Sequence, residues 1–147
     1  MIKKNLPNLS IIVFSKKTKA YILQKNKENR NRTQFTFSIK ENNSKEIAGL
    51  IILKNIDTKL QQAEFAYCIE KKYRAKGLTS KAVQQVVNFA INELSIRTFE
   101  IIVHNTNIGS CKVAEKNGFV WKKTLLNEFT PIGKPAMDME LYVLKYN

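Results

Sequence analysis

Residues 63 to 104 run as a strand, a glycine-bearing loop, a long helix and a second strand, an order that restricts the fold more than any other feature of the chain. In AEFAYCIE, Phe65, Tyr67 and Ile69 alternate with Glu64, Ala66 and Cys68, the two-residue period of a strand with two distinct faces. The loop YRAKGLTSKAV, residues 73 to 83, comes next. Ala82, Val86, Ala90 and Leu94 then form one row at i, i+4 spacing, and Val83, Val87 and Ile91 form the row beside it. Lys81, Gln84, Gln85, Asn88 and Asn92 fill the opposite side, so the apolar stripe is expected to pack on a sheet. Phe99 to His104 reads as the following strand. Two strands joined through a helix of this length form a parallel pair with a right-handed crossover.

The flanking segments complete an α/β fold with a mixed sheet. Phe35, Phe37 and Ile39 alternate with Thr36, Ser38 and Lys40, ENNSKE supplies turn residues, and IAGLIIL is a second β run, which together predict a hairpin. Asn107 can cap a short helix over 108 to 117, with Gly118 as the left-handed residue after it. Phe119 to Leu125 and Met137 to Lys145 read as strands joined by a loop holding Pro131, Gly133 and Pro135. Trp121 and the alternating Met137, Met139 and Leu141 are expected in the core. Ahead of Phe35 the pattern predicts a strand at Ser10 to Phe14, a helix from Lys16 to about Asn26, and a solvated KNKENRNR loop.

A chain of 147 residues can build one hydrophobic core and is short for two, so a single domain over 1–147 is expected. Its apolar runs fall short of the ~18 residues of a membrane helix. Leu9 to Phe14 is broken by Ser10 and followed by SKKTK rather than a cleavage site, so a cytoplasmic address is expected. Cys68 and Cys111 lack CxxC partners and His104 is the only histidine, too few ligands at workable spacing for zinc; no metal is expected, and both cysteines are read as reduced, buried thiols. His104, at a strand end, reads as structural. The formal net charge of +13, mostly lysine, fits a solvated basic surface, an anionic cofactor, an acidic substrate, or RNA.

A glycine turn that leaves a strand and opens a helix presents free N–H groups and the positive helix end to one point, a ready anion site. Arg74 and Lys76 add positive charge, and Gly77 permits close approach or a positive φ. By itself R-x-x-G-x-T is weak. One strand further on, NIGSCKVAEKNGFVW, residues 107 to 121, resembles the second half of the acetyl-CoA site of the GCN5-related N-acetyltransferase (GNAT) superfamily. The pattern N-x-x-S-x-x-V-x-E-K-x-G-F is met at Asn107, Ser110, Val113, Glu115, Lys116, Gly118 and Phe119, and Q/R-x-x-G-x-G/A at Arg74, Gly77 and, with a departure, Thr79. AEFAYCIE looks like the A-E-x-G-Y strand of the RimJ/RimL-like branch, which acetylates ribosomal-protein N-termini, with Ala66 in place of Gly. The likeness runs from about Phe35 to Tyr146; residues 1–34 look shorter than the family's usual strand and two helices, which commonly wall the acceptor cleft.

The resemblance implies a single GNAT-like domain, a mixed central sheet flanked by helices, with two splayed parallel strands forming the acyl-CoA cleft. It implies acetyl-CoA as cofactor, with the pantetheine arm along Cys68 and Ile69 and the pyrophosphate on the N–H groups of Arg74, Ala75, Lys76, Gly77, Leu78 and Thr79. It also implies that the N–H of Cys68 holds the thioester oxygen, that Glu64 serves as general base, and that Ser110 donates to the leaving thiolate. Asn107 is a cap that also touches the cofactor or substrate arm. Family members transfer directly, so neither cysteine is read as an acyl-accepting nucleophile. The implied activity is N-acetylation of a primary amine, most simply a protein N-terminal α-amine. Alternatives are a catalytically silent acyl-CoA-binding module, a small-amine acceptor, or an acceptor borne on RNA. Ribosome or RNA association is an expectation from charge, and the assembly is a monomer or homodimer.

Overall fold

The computed structural model describes residues 34–41 and 46–147. The strand expected at Ser10 to Phe14, the helix at Lys16 to Asn26 and the middle of the hairpin turn lie outside the described residues.

Six strands form one sheet: β1 (Phe35–Lys40), β2 (Ile47–Asp57), β3 (Gln62–Ile69), β4 (Thr98–Val103), β5 (Val120–Phe129) and β6 (Met137–Lys145), in the spatial order β1-β2-β3-β4-β6-β5. Helix α1 (Leu78–Leu94) is the crossover between β3 and β4, and α2 (Ile108–Lys116) follows β4. Among the described strands only β3 and β4 are parallel; β1–β2, β2–β3, β4–β6 and β5–β6 are antiparallel. The mixed sheet and the parallel crossover are as the alternation and the helical stripe predict.

The core lies between the helices and one sheet face. Phe37, Ile39, Ile51, Leu53, Phe65, Phe99 and Ile101 are buried there against Ala82, Val83, Val86, Val87 and Ala90 of α1. Phe89 meets Phe35 and Phe37 edge-on, with centroids 5.6 and 5.9 Å apart, while Phe65 stacks on Phe99 at 5.7 Å. Each such side chain, fully buried, stabilises by roughly 1.5–3 kcal/mol, which is why the i, i+4 rows fix the helix against the sheet.

Three expectations about burial are corrected. Trp121 is 53% exposed, not core, and its indole N–H donates to Glu140 Oε1 at 2.8 Å. Met137 and Met139 are half-buried, leaving only Leu141 of that alternation buried. The cause is topological: β5 is the last strand, beyond the reach of the nine-residue α2. Cys68 is exposed and Cys111 half-buried, because Cys68 lies where β3 has run past its parallel neighbour.

That overrun positions the site. Pairing of β3 with β4 runs from Gln62↔Thr98 to Phe65↔Ile101 and stops. Beyond it Ala66 to Ile69 pair only with β2, and Ile102 and Val103 only with β6. The two parallel strands part at their C-terminal ends.

Candidate active site

A cleft of about 740 Å³ opens where β3 and β4 part, between the end of β3, the loop into α1 and the first turns of α2. Its floor is set by the direction of the backbone. Glu70 N–H donates to Ala48 C=O at 2.7 Å, and the register pairs Leu50 with Cys68 two residues before. N–H and C=O of alternate strand residues point to opposite edges, so Cys68 faces β2 and its N–H is engaged with Leu50. The Cys68 carbonyl oxygen packs directly against Gly49, and a Cβ at Gly49 would overlap it and lie 2.9 Å from Ile69 Cα. Tyr67 and Ile69 face the cleft, and Ile69 C=O accepts from Arg74 Nε at 3.5 Å. The donor expected at Cys68 is therefore turned away from the opening, and the N–H groups of Tyr67 and Ile69 line it.

Gly49→Ala should force β2 and β3 apart at this point. Overpacking of this kind costs roughly 1–3 kcal/mol. The expected result is a fall of several degrees in the thermal unfolding midpoint; an unchanged midpoint would show that the strands separate freely.

The loop into α1 carries two left-handed residues, Ala75 at φ 63° and Gly77 at φ 76°. Glycine tolerates that conformation, whereas Ala75 holds it at a cost of about 1–3 kcal/mol. The pair of turns aims the helix N-terminus into the cleft. Lys81 is the first α1 residue whose N–H reaches a carbonyl, Gly77 C=O at 3.1 Å. Among the described residues, Ala75 through Ser80 donate no backbone hydrogen bond to protein. Arg74 N–H, by contrast, bonds Lys71 C=O at 3.2 Å, so Arg74 brings side-chain charge rather than a free amide. Thr79 is buried beneath the first turn at 6% exposure. Tyr73 anchors the loop: its ring is buried, its hydroxyl donates to Glu46 at 2.7 Å, and Lys76 lies 5.6 Å above it.

On the facing wall, Asn107 Oδ1 accepts from Ser110 N–H at 3.1 Å, the side-chain cap that opens α2. Ser110 is therefore a capped residue of the first turn, not the cap. Its carbonyl accepts from the Tyr67 hydroxyl at 3.2 Å. Tyr67 thus ties β3 to α2 across the cleft. Burial, the largest influence, pushes its phenol well above the usual tyrosine range, keeping it a donor. Asn117 holds the two helices together, with Nδ2 donating to Ser80 C=O and Oγ and to Val113 C=O at 3.0–3.2 Å.

Glu64 stands at the root of the splay but on the sheet face opposite the helices. Its Oε1 accepts from Asn55 Nδ2 at 2.8 Å, its Oε2 is 3.8 Å from Lys54 Nζ, and its side chain is 15% exposed. Glu100 is its register partner on β4, half-buried and on the same face. His104 has a structural role, as its Nδ1 accepts from Thr106 N–H at 3.2 Å in the turn after β4.

The structure brings Cys68, Ile69, Arg74, Ala75, Gly77, Leu78, Thr79, Asn107 and Ser110 to one cleft, Cys68 with its N–H turned to β2. Lys76 stands over Tyr73 at its rim, and Glu64 is on the other face. Reading the sequence missed Tyr67, Lys112, Lys116 and Asn117. Lys112 and Lys116 line the cleft one helical turn apart, and with Arg74 they give it three cations and no carboxylate among the described residues. Their i, i+4 spacing behind Ser110 was the available signal.

The family model of the acetyltransferase (GNAT) domain matches residues 14–120. The Bacillus subtilis protein YjcK, named a probable N-acetyltransferase, is 40% identical over 60 residues, which is 41% of this chain and 33% of that protein. The chain spans between a third and 60% of the length of the curated relatives it matches. Among solved structures, RimL, a ribosomal L7/L12 α-N-protein acetyltransferase bound to coenzyme A, superposes with a TM-score of 0.78 at 19% identity, covering 88% of this chain and 71% of RimL. The spermidine N-acetyltransferase of Vibrio cholerae, bound to CoA and spermine, gives 0.77 at 17% identity, covering 95% and 96%.

Proposed function

The chain belongs to the acetyltransferase (GNAT) family, and from that premise we propose that it transfers an acetyl group from acetyl-CoA to a primary amine, with a protein N-terminal α-amine as the leading acceptor. One observation carries this reading: among the described residues, a cleft at parted parallel strands joins six unbonded N–H groups, Ala75 through Ser80, to three cations and no carboxylate. That donor set fits a pyrophosphate-bearing ligand. When bound, acetyl-CoA supplies an acetyl thioester. The N–H groups of Tyr67 and Ile69 stabilise negative charge on the acyl oxygen, a contribution typically worth ~10²–10³ in rate. Glu64, on the opposite face, takes the proton of the incoming ammonium, since an amine attacks only when neutral. Ser110 Oγ donates a proton to the departing sulfur.

A second reading, a small polycationic amine as acceptor, is favoured by Glu100. Its half-buried carboxylate sits in register with Glu64 and, among the described residues, makes no hydrogen bond or ion pair. The name of the spermidine-acetylating neighbour supports the same chemistry.

Labelled acetyl-CoA incubated with the protein, an N-terminal peptide panel and a polyamine panel separates the two. Labelled peptide α-amine is the expected product; label on the polyamine supports the second reading. Tight binding without turnover on either panel would leave a silent acyl-CoA module. Cofactor holding is tested apart from turnover. Lys112→Ala and Lys116→Ala should each weaken CoA binding by about tenfold, the loss of one charge-assisted contact. The deficit should shrink as salt rises, measured by calorimetry.

A further inference from the structure

We propose that Asn117 is a positioning residue for the cofactor, acting through the hydroxyl of Ser80 in the first turn of α1, a role that rests on the cleft being an acyl-CoA site. Asn117 falls at the unspecified place between Lys116 and Gly118 in the motif that marks this segment, so no pattern assigns it a role. It is the half-buried C-cap of α2. Its Nδ2 lies 3.0–3.2 Å from three acceptors: Val113 C=O on its own helix, and Ser80 C=O and Oγ on α1, 37 residues away. Two of these are carbonyl oxygens, which cannot donate, so the amide nitrogen rather than its oxygen faces them. An amide nitrogen accepts nothing. Ser80 Oγ therefore takes a hydrogen from Asn117 and must send its own proton to another side.

The other side is the cleft. Ser80 lines it together with Gly77 and Thr79, while Asn117 lines a separate hollow of about 390 Å³ beyond Ser80. A hydroxyl proton turned from Asn117 is thus turned toward the cofactor. The N–H of Ser80 is one of the six that reach no protein acceptor, so N–H and O–H of one residue converge on the place of one phosphate oxygen. Hydrogen bonds to a charged oxygen are roughly twice as strong as neutral ones. Without Asn117 the serine hydroxyl can turn back to the carbonyl of Gly77, three residues earlier, a common alternative for serine in a helix. The phosphate then loses a donor. Lys116, the neighbour of Asn117 in sequence, lines both hollows, so the same clamp also sets how far this cation stands from α1.

Calorimetry of CoA binding to the full chain tests the proposal. Asn117→Ala and Ser80→Ala should each weaken CoA by about tenfold, the loss of one hydrogen bond to a charged group. Because the first acts through the second, the double variant Ser80→Ala/Asn117→Ala should also lose about tenfold in total, rather than about a hundredfold. Pantetheine, which carries no phosphate, should bind wild type and variants equally in ligand-observed NMR, whereas a merely structural role would weaken both ligands together. Ser80→Ala keeps the bonds from Asn117 to Ser80 C=O and Val113 C=O, so it tests the hydroxyl even where Asn117→Ala lowers the thermal unfolding midpoint. Losses that multiply, a Ser80→Ala protein with wild-type CoA affinity, or pantetheine weakened as much as CoA would each overturn the proposal. A wild type that binds no CoA would instead overturn the reading of the cleft, and the role of Asn117 with it.

Discussion

Replacing Glu64 by Gln should lower turnover of a confirmed amine acceptor by on the order of 10²-fold near pH 7 while acetyl-CoA affinity stays unchanged. The amide keeps the length of the side chain and can still accept from Asn55 Nδ2, so the geometry at the splay survives. What is lost is a group able to take a proton. The deficit should narrow as pH rises toward the acceptor's own pKa, about 8 for an α-amine, because the neutral amine then forms without help. Steady-state kinetics across pH on wild type and variant read both effects. Equal turnover in the two proteins would leave Glu64 as no more than the partner of Lys54, 3.8 Å away.

Ser110→Ala should lower the turnover number by a comparable ~10²-fold with CoA affinity preserved. The fold around Ser110 depends on its backbone: the N–H bonds Asn107 and the C=O accepts from Tyr67. Removing Oγ leaves both, which separates chemistry from architecture. The departing thiolate has an intrinsic pKa near ~8.5, so an acyl donor with a more acidic thiol should recover part of the loss. A variant slowed equally with every donor would assign Ser110 to positioning rather than proton donation.

The elements were legible wherever a local rule governs them. Alternation at Phe35, Phe37 and Ile39, the rows from Ala82 to Leu94, and the cap at Asn107 each depend on neighbours within a few residues, and all three are present in the structure. Gly77 and Gly118 adopt positive φ at the turns where a left-handed residue was expected. Trp121 was misplaced because alternation assigns a face, not a cover: it lies on the helix side of the sheet, beside Tyr142, but past the end of the helical layer. The alternation put Tyr67 on one face with Phe65 and Ile69, but its hydroxyl contact with Ser110, 43 residues away in sequence, had no local signature.

From the order of residues alone follow the strand, loop, helix and strand succession, the parallel pair, and a left-handed turn at Gly77, because period and caps are properties of short stretches of chain. The tertiary structure decided where β3 and β4 part, that Tyr67 and Ile69 rather than Cys68 turn their N–H groups to the opening, and that Lys112 and Lys116 close the far wall. Each of these depends on which strand lies ~4.8 Å away across the sheet and in what register. A shift of one residue would exchange the two edges of β3, and no pattern within AEFAYCIE records which edge meets β2.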